Sequence, residues 1–352
     1  MLIQRLHGKA TEWAGNVYIT AIQLFSRMRW IRTPEYDTDV LGEGQYRYRL
    51  DRQWCQTDAQ SLQVNNCHEM VIDSKNRLYL LTDNPKNNII IFNRTGHVEG
   101  KWTLNSSGAH GLTLAVENGK EVLWICDPYN PRVMKFSLSG DLLKILPNPA
   151  DAGIYSRSMP YAPTQTAVAP NGDIYVADGY GSQHILQFDN GGNLVRVFGG
   201  KGKERDKLDF AHGIAVDTRD PEHPILLVTS RKASCLKRFS LDGEYLNDIP
   251  LPGGFPCRPV VHGQNILLGL CWSGKHLKAN SGFVALLDKN NRVCATLGGT
   301  AKFDESGNLT DLVSDFSSFC HVHDVCADGD DNLYVCQWNA GKVYPYLLKR
   351  MK

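Results

Sequence analysis

The sequence predicts an all-β chain folded as a six-bladed β-propeller, with four-stranded blades and an N-terminal extension. Three observations predict it. First, four segments align with one another: AHGLTLAVENGKEVLWICDPYNPRVMKFSLSGDLL from Ala109, APTQTAVAPNGDIYVADGYGSQHILQFDNGGNLVRVF from Ala162, AHGIAVDTRDPEHPILLVTSRKASCLKRFSLDGEYL from Ala211, and VHDVCADGDDNLYVCQWNAGKVYPYLL from Val322. Second, weaker copies start at Cys67 and Cys257, which makes six units of roughly 40 to 60 residues. Third, each unit reads as four short strands punctuated by turn residues, with no long amphipathic helix between them. A four-stranded repeat of that length is a propeller blade, and six of them close a ring.

The order inside a unit is constant. A small apolar strand is followed by a D/P-x-G/N turn, a strand ending near Asp, a Gly-rich turn, a strand ending in Phe, a D/S-G turn and a last strand. Residues 1–44 lie outside the repeat as an extension, and 45–352 form the ring. QYRYRLD, Gln45 to Asp51, alternates like one more strand. Because the sixth unit runs out near Leu348, this strand is expected to close the ring beside it, which leaves no long exposed sheet edge.

Composition excludes some functions. Lys plus Arg total 38 against 37 for Asp plus Glu, so no basic field exists to hold a nucleic-acid backbone. No apolar run approaches the 18 residues or so of a membrane span, and the first 30 residues lack a secretory h-region, so neither nucleic acid nor membrane is expected as a partner. The ten cysteines form no CxxC pair and sit mostly in apolar runs, where a reduced thiol packs as a small hydrophobe. That favours a cytoplasmic setting, or a periplasmic one had an export signal been removed.

The repeat makes a column comparison legitimate, since equivalent positions share height and radius around the channel. At the start of the innermost strand the six occupants align as His68, His110, Thr164, His212, Arg258 and His323. Only 11 histidines occur in the chain, so four in one column is far from chance. Units two, four and six stand about 120° apart on a six-fold ring, which aims His110, His212 and His323 at the axis as a trigonal metal site. Zinc is the first expectation, with iron, copper or manganese as alternatives. The bland reading is a set of strand-entrance histidines satisfied by carbonyls or channel water. His68 is either a fourth ligand or a proton-transfer group. Arg258, facing the channel, is expected to hold a carboxylate or oxyanion. His321, two residues ahead of His323, stands outside the column and is expected at the rim.

HGLTL at His110, VADGYGSQHILQF from Val176, HGIAV at His212, VTSRKASCLKRF and HDVCADGDDNLYV at His323 resemble NHL-type propeller repeats. Within these they resemble the lyase domain of peptidylglycine alpha-amidating enzymes and its bacterial relatives, from Cys67 to about Leu348. The resemblance implies a catalytic zinc on the matching histidines, with Tyr180 as the base on a substrate hydroxyl and Arg231 lining the pocket. It also implies a structural calcium at Asp324, the other reading of that aspartate being a contact behind the histidines. Two departures stand out: a pocket arginine of the family falls on Asp83, and a cysteine of animal members falls on Gly181.

The expected function is a metal-dependent lyase or hydrolase acting on a small hydroxylated substrate, carbohydrate, peptide-like or lactone, in the channel. The alternative is a non-catalytic propeller binding a ligand or protein on its face. Segments Leu146 to Tyr161, Gly199 to Asp209 and Thr300 to Ser318, with Tyr155, Arg157, Lys203 and Asp304, are expected to shape the pocket as loops.

Overall fold

The computed structural model describes residues 40–55, 62–149, 153–156, 160–274 and 280–352. Most of the N-terminal extension, and Arg157, lie outside them. Strands dominate, and the described helical turns are short 3-10 pieces such as Gly44–Tyr46 and Arg231–Ala233.

Five blades are consecutive four-stranded antiparallel meanders. Blade 1 is Cys67–Ile72, Leu78–Thr82, Ile89–Phe92 and Val98–Trp102. Blade 2 is Gly111–Glu117, Lys120–Asp127, Arg132–Ser137 and Leu142–Ile145. Blade 3 is Gln165–Val168, Ile174–Ala177, His184–Phe188 and Leu194–Gly199. Blade 4 is Ala211–Asp217, Ile225–Ser230, Cys235–Ser240 and Tyr245–Pro250, and blade 5 is Gly254–His262, Asn265–Ser273, Phe283–Leu287 and Val293–Leu297. Blade 6 takes three strands from the C-terminal end, Val322–Ala327, Leu333–Gln337 and Tyr346–Arg350.

Its fourth strand is Tyr48–Asp51, which pairs antiparallel with Tyr346–Arg350 from Tyr48 opposite Arg350 to Asp51 opposite Leu347. The ring is therefore closed where the alternation of QYRYRLD predicts, by joining the two ends of the chain in one sheet. A two-residue strand, Val40–Leu41, adds to the outer edge of Tyr48–Asp51.

Packing shows why six units are needed. The apolar core divides into six clusters, each shared by two neighbouring blades. One joins Tyr79, Leu81 and Ile89 of blade 1 to Leu123, Ile125 and Met134 of blade 2. The last joins Trp54, Met70 and Leu78 at blade 1 to Cys326 and Tyr334 of blade 6. A blade covered on both faces buries its middle strands completely, as Leu78–Thr82 and Phe283–Leu287 do, whereas the outer strand Val98–Trp102 alternates. A lone blade would leave both faces wet.

The stretch expected as a loop from Thr300 to Ser318 instead contains a two-stranded hairpin, Gly299–Phe303 with Leu309–Ser314. The reason is turn chemistry: Asp304 accepts from the backbone N–H of Ser306 and Asn308, folding the chain back on itself. Asp304 is thus a turn residue and faces solvent. All ten cysteines are free thiols, and eight are buried.

Candidate metal centre

The innermost strands deliver their side chains to the axis in two layers, and a backbone irregularity makes both possible. Pairing slips at Cys67/Glu69, Ala211/Ile214, Pro256/Pro259 and Val322/Asp324, immediately around His68, His212, Cys257 with Arg258, and His323. A bulge breaks the strict alternation of a strand, so two consecutive residues both turn toward the channel. The first of each pair enters an upper layer, and in blades 1, 5 and 6 the second, Glu69, Arg258 or Asp324, enters a lower one, while blade 4 has Gly213 there.

The upper layer holds the four column histidines, all buried. The rings of His110, His212 and His323 form a near-equilateral triangle, with centroids 4.7, 4.8 and 5.0 Å apart. His68 completes a rhombus, 4.9 Å from both His110 and His323. Judged by donor atoms, His68, His110 and His323 make one group and His212, Cys257 and His323 another, each within 4.8 Å, so His323 belongs to both.

Hydrogen bonds set the tautomers. His110 Nδ1 donates to the carbonyl of Thr164 and His323 Nδ1 to that of His68, both at 2.9 Å, which leaves each Nε2 as the bare nitrogen. The Tyr180 hydroxyl lies 2.9 Å from His110 Nε2 and 3.4 Å from His212 Nε2. His212 Nδ1 and His68 Nδ1 are buried without a hydrogen-bond partner. Burial holds His110, His212 and His323 well below the usual imidazole pKa, reinforced by Arg231 and by neighbouring histidines, His68 acting on all three, so all three are neutral.

Tyr180 reaches this layer from the turn after Ile174–Ala177. Asp178 builds the turn by accepting from the backbone N–H of Ala162 and of Ser182, each at 2.6 Å. Gly179 lets it pack against blade 4, since a Cβ there would meet the Ala211 carbonyl oxygen at 2.1 Å. Burial pushes the Tyr180 phenol well above its ordinary pKa, with Arg231 acting in the opposite sense. Arg231 itself is buried between the rings of Phe210 and Trp272, 5.5 and 5.4 Å from their centroids, and donates to Pro256 O and Cys257 Sγ.

Arg258 and Asp324 are placed differently from expectation. The Arg258 guanidinium is in the lower layer, where Nε and Nη2 donate to Asp324 at 2.9 and 2.7 Å. Its donors are spent on protein oxygens, not on the histidine layer. Asp324 spends both oxygens on Arg258 and accepts the Met70 N–H at 2.9 Å as well, so it is not free to ligate the histidine-layer metal, and the oxygen cradle expected for calcium holds a guanidinium. Alignment puts Arg258 in the histidine column, but the bulge shifts blade 5 by one residue and its member of that layer is Cys257. Gly213 makes room for this, because a Cβ there would meet Arg258 Cα and the Cys257 carbonyl oxygen at 2.6 Å.

Sequence reasoning passes over one residue here and notes another only as a departure. Cys257 looked like packing, and its only signal is its place just ahead of Arg258. Asp83, which replaces a family arginine, faces His68 Nε2 at 3.6 Å and is itself held by Asn66. Although burial works against it, the contact with His68 and the hydrogen bonds from Asn66 keep the Asp83 carboxyl below its usual pKa. The changed sign thus provides a carboxylate behind a histidine.

His321 lies outside both layers, between Trp272 and Trp338, each 5.9 Å away. Its Nδ1 faces the Trp338 carbonyl and its Nε2 accepts from Asn280 N–H. Its backbone is left-handed at φ 50°, a conformation that His and Asn tolerate. Burial pushes its pKa down to about 4. Because the folded value lies below the unfolded one, near 6.5, the unfolded chain protonates first as pH falls, and stability is lost between those values. Relative to His321→Asn, metal-free wild type should lose about 3 kcal/mol between pH 7 and pH 4 in denaturant titrations. A constant difference would place the titration elsewhere.

Below the lower layer the channel widens into a cavity of about 650 Å³ lined by Thr113, Thr166, Ile214, Ala215 and Val260, with Arg258 at its roof. This cavity is at the opposite end from the histidines. Among the described residues, no helix is long and apolar enough to cross a membrane.

No family model matches the chain. Among curated proteins it is 26% identical over 280 residues to peptidyl-alpha-hydroxyglycine alpha-amidating lyase 1 of Drosophila melanogaster, covering 72% of this chain and 47% of that one. It is 30% identical over 151 residues to a probable lyase of the same name in Caenorhabditis elegans, 42% of this chain and 41% of that one. With NHL repeat-containing protein 3 of Mus musculus it shares 22% over 179 residues, 48% and 51% of the two chains. The chain spans about half the length, or less, of these curated relatives. Solved structures of the same fold include a gluconolactonase from Xanthomonas campestris, at TM-score 0.59, 12% identity and coverage of 92% and 98%. A streptogramin B lyase superposes at TM-score 0.54 with 10% identity, covering 82% and 95%. The chain is a six-bladed propeller, similar in sequence to an NHL repeat-containing protein and to the amidating lyases.

Proposed function

We propose that this protein is a metal-dependent lyase cleaving the C–N or C–O bond of a small hydroxylated, hemiaminal-like substrate at the histidine end of the channel. One observation carries the reading: a tyrosine hydroxyl lies against two buried neutral imidazoles, in a layer with two further buried ring nitrogens that have no hydrogen-bond partner. The amidating-lyase relatives support it in kind.

The ring spacing suits a transition ion, although the donor atoms converge as two groups that share His323, with His110 in one and His212 in the other. Imidazole nitrogens about 2.1 Å from one tetrahedral ion put ring centres roughly 5 Å apart, which matches the triangle of His110, His212 and His323. The backbone carbonyls behind His110 and His323 are the outer partners that orient ligating histidines. His110, His212 and His323 would hold the ion, zinc by donor type, with His68 and Cys257 flanking it. Such an ion supplies Lewis-acid polarisation of a substrate oxygen.

The chain's own groups move the proton. Tyr180 is the group placed to take it from the substrate hydroxyl: burial alone keeps it as the phenol, and the phenolate the step needs would be favoured by Arg231 and by the charge of a bound ion. The O–H electrons become the new C=O bond, the C–N bond breaks, and the nitrogen leaves with its electron pair and takes up a proton. Arg231 biases Tyr180 toward phenolate and offers its remaining N–H groups to a carboxylate. His68, backed by Asp83, is the second group able to accept or return the proton.

The test uses untagged protein, analysed for metal and then offered an alpha-hydroxyglycine-extended amide beside a simple aldonolactone. Near-stoichiometric zinc with glyoxylate release from the amide supports the lyase. Lactone opening alone would replace it with a hydrolase, and metal-free protein without affinity for zinc would leave a binding propeller.

A further inference from the structure

We infer that the lower layer is a cation site whose occupant is the chain's own Arg258, and that it takes no divalent ion while that guanidinium is in place. The oxygens come from three different blades. Arg258 Nη2 donates to the Met70 carbonyl of blade 1 at 2.9 Å and Nη1 to the Leu112 carbonyl of blade 2 at 2.8 Å. Nε and Nη2 share the two carboxylate oxygens of Asp324 in blade 6, and Glu69 Oε2 stands 3.7 Å from Nη1. Arg258 itself belongs to blade 5, so one side chain fastens four inner strands across the axis.

Two main-chain carbonyls and two carboxylates converging on one point are the donors of a hard divalent cation such as calcium, which prefers six to eight oxygens. A guanidinium satisfies the same oxygens differently, with its N–H groups spread over a planar fork. Every contact but that to Glu69 is at hydrogen-bond distance, and the arginine is buried. An ordinary buried ion pair would need only the carboxylate. Here two carbonyls are aimed at the guanidinium as well, which is what a cradle for an ion looks like.

Two carboxyl groups face one guanidinium, and burial raises the pKa of Glu69. Glu69 is held by neutral donors, the Leu112 N–H at 2.6 Å and Gln165 Nε2 at 2.7 Å. Taking away the arginine leaves the Asp324 carboxylate, the Glu69 carboxyl, whose pKa burial pushes up to about 8, and two carbonyls around the space its side chain vacates, oxygen donors that a divalent ion would draw together. The resemblance to the amidating lyases carries an expectation of calcium at Asp324, and this chain departs from it by supplying the positive charge from blade 5. The inference does not depend on the histidine layer binding metal.

Thermal unfolding in chelator and in millimolar calcium tests it. Wild type should melt at the same temperature in both and contain no calcium by atomic absorption. Arg258→Ala should melt about 10 °C lower in chelator and recover most of that loss with calcium, less with magnesium, whose octahedral demand the spread of oxygens fits poorly. If the chelated variant does not fold, refolding it with and without calcium gives the same reading. Calcium in the wild type, a variant as stable as wild type in chelator, or a variant that calcium leaves unimproved would each overturn the inference.

Discussion

Replacing His323 by alanine should lower zinc affinity at least about 100-fold, measured by competition with a chromogenic chelator, while leaving a folded propeller. His323 is the residue that both groups of donor atoms share. Its Nδ1 is held by the His68 carbonyl, so its Nε2 is the bare nitrogen. His68→Ala and His212→Ala separate the two sides of the cluster. If the triangle of His110, His212 and His323 holds the ion, His212→Ala should approach the loss at His323, and His68→Ala should cost far less. The reverse order would move the site to the His68 side, with Asp83 behind it. Equal and small effects from all three would remove the metal from the reading.

Tyr180→Phe should retain metal and melting temperature but reduce kcat by roughly 10²- to 10⁴-fold on whichever substrate is turned over, with KM little changed. The phenyl ring keeps its contact with Phe210, 5.5 Å between centroids, and with His110 at 4.9 Å, so the change removes the hydroxyl and little else. A structural tyrosine would lower stability and leave kcat alone. An unchanged rate would take Tyr180 out of the chemistry and leave His68 as the proton acceptor.

Much of this was legible from residues. The period of the turns specified six blades, because each four-stranded unit needs a neighbour on both faces to bury its middle strands. The alternation of Gln45 to Asp51 specified closure, because a polar-apolar strand left over at one end can only pair where the other end runs out. Four histidines in one column drew attention to the channel for the same reason of repetition.

Blade 5 shows where that reasoning stops. Alignment assigned Arg258 to the histidine column, one residue away from Cys257, which occupies the place. A bulge costs only a local slip in pairing and has no reliable mark in the local sequence, yet it decides which of two successive side chains enters which layer. Asp83 was read as a lost arginine, because a sequence cannot say that its carboxylate will lie 3.6 Å from His68.

By itself the sequence determined the architecture, the seam between its two ends and the histidines that face the axis, all of which follow from periodic burial. Only the tertiary structure decided that Asp324 and Arg258 neutralise each other beneath those histidines, and that Tyr180 caps two of them. Those pairings join side chains from different blades, and their distances depend on how closely the inner strands approach. That approach is set at Gly179 and Gly213 by the absence of a Cβ, a clearance visible only once the blades are packed.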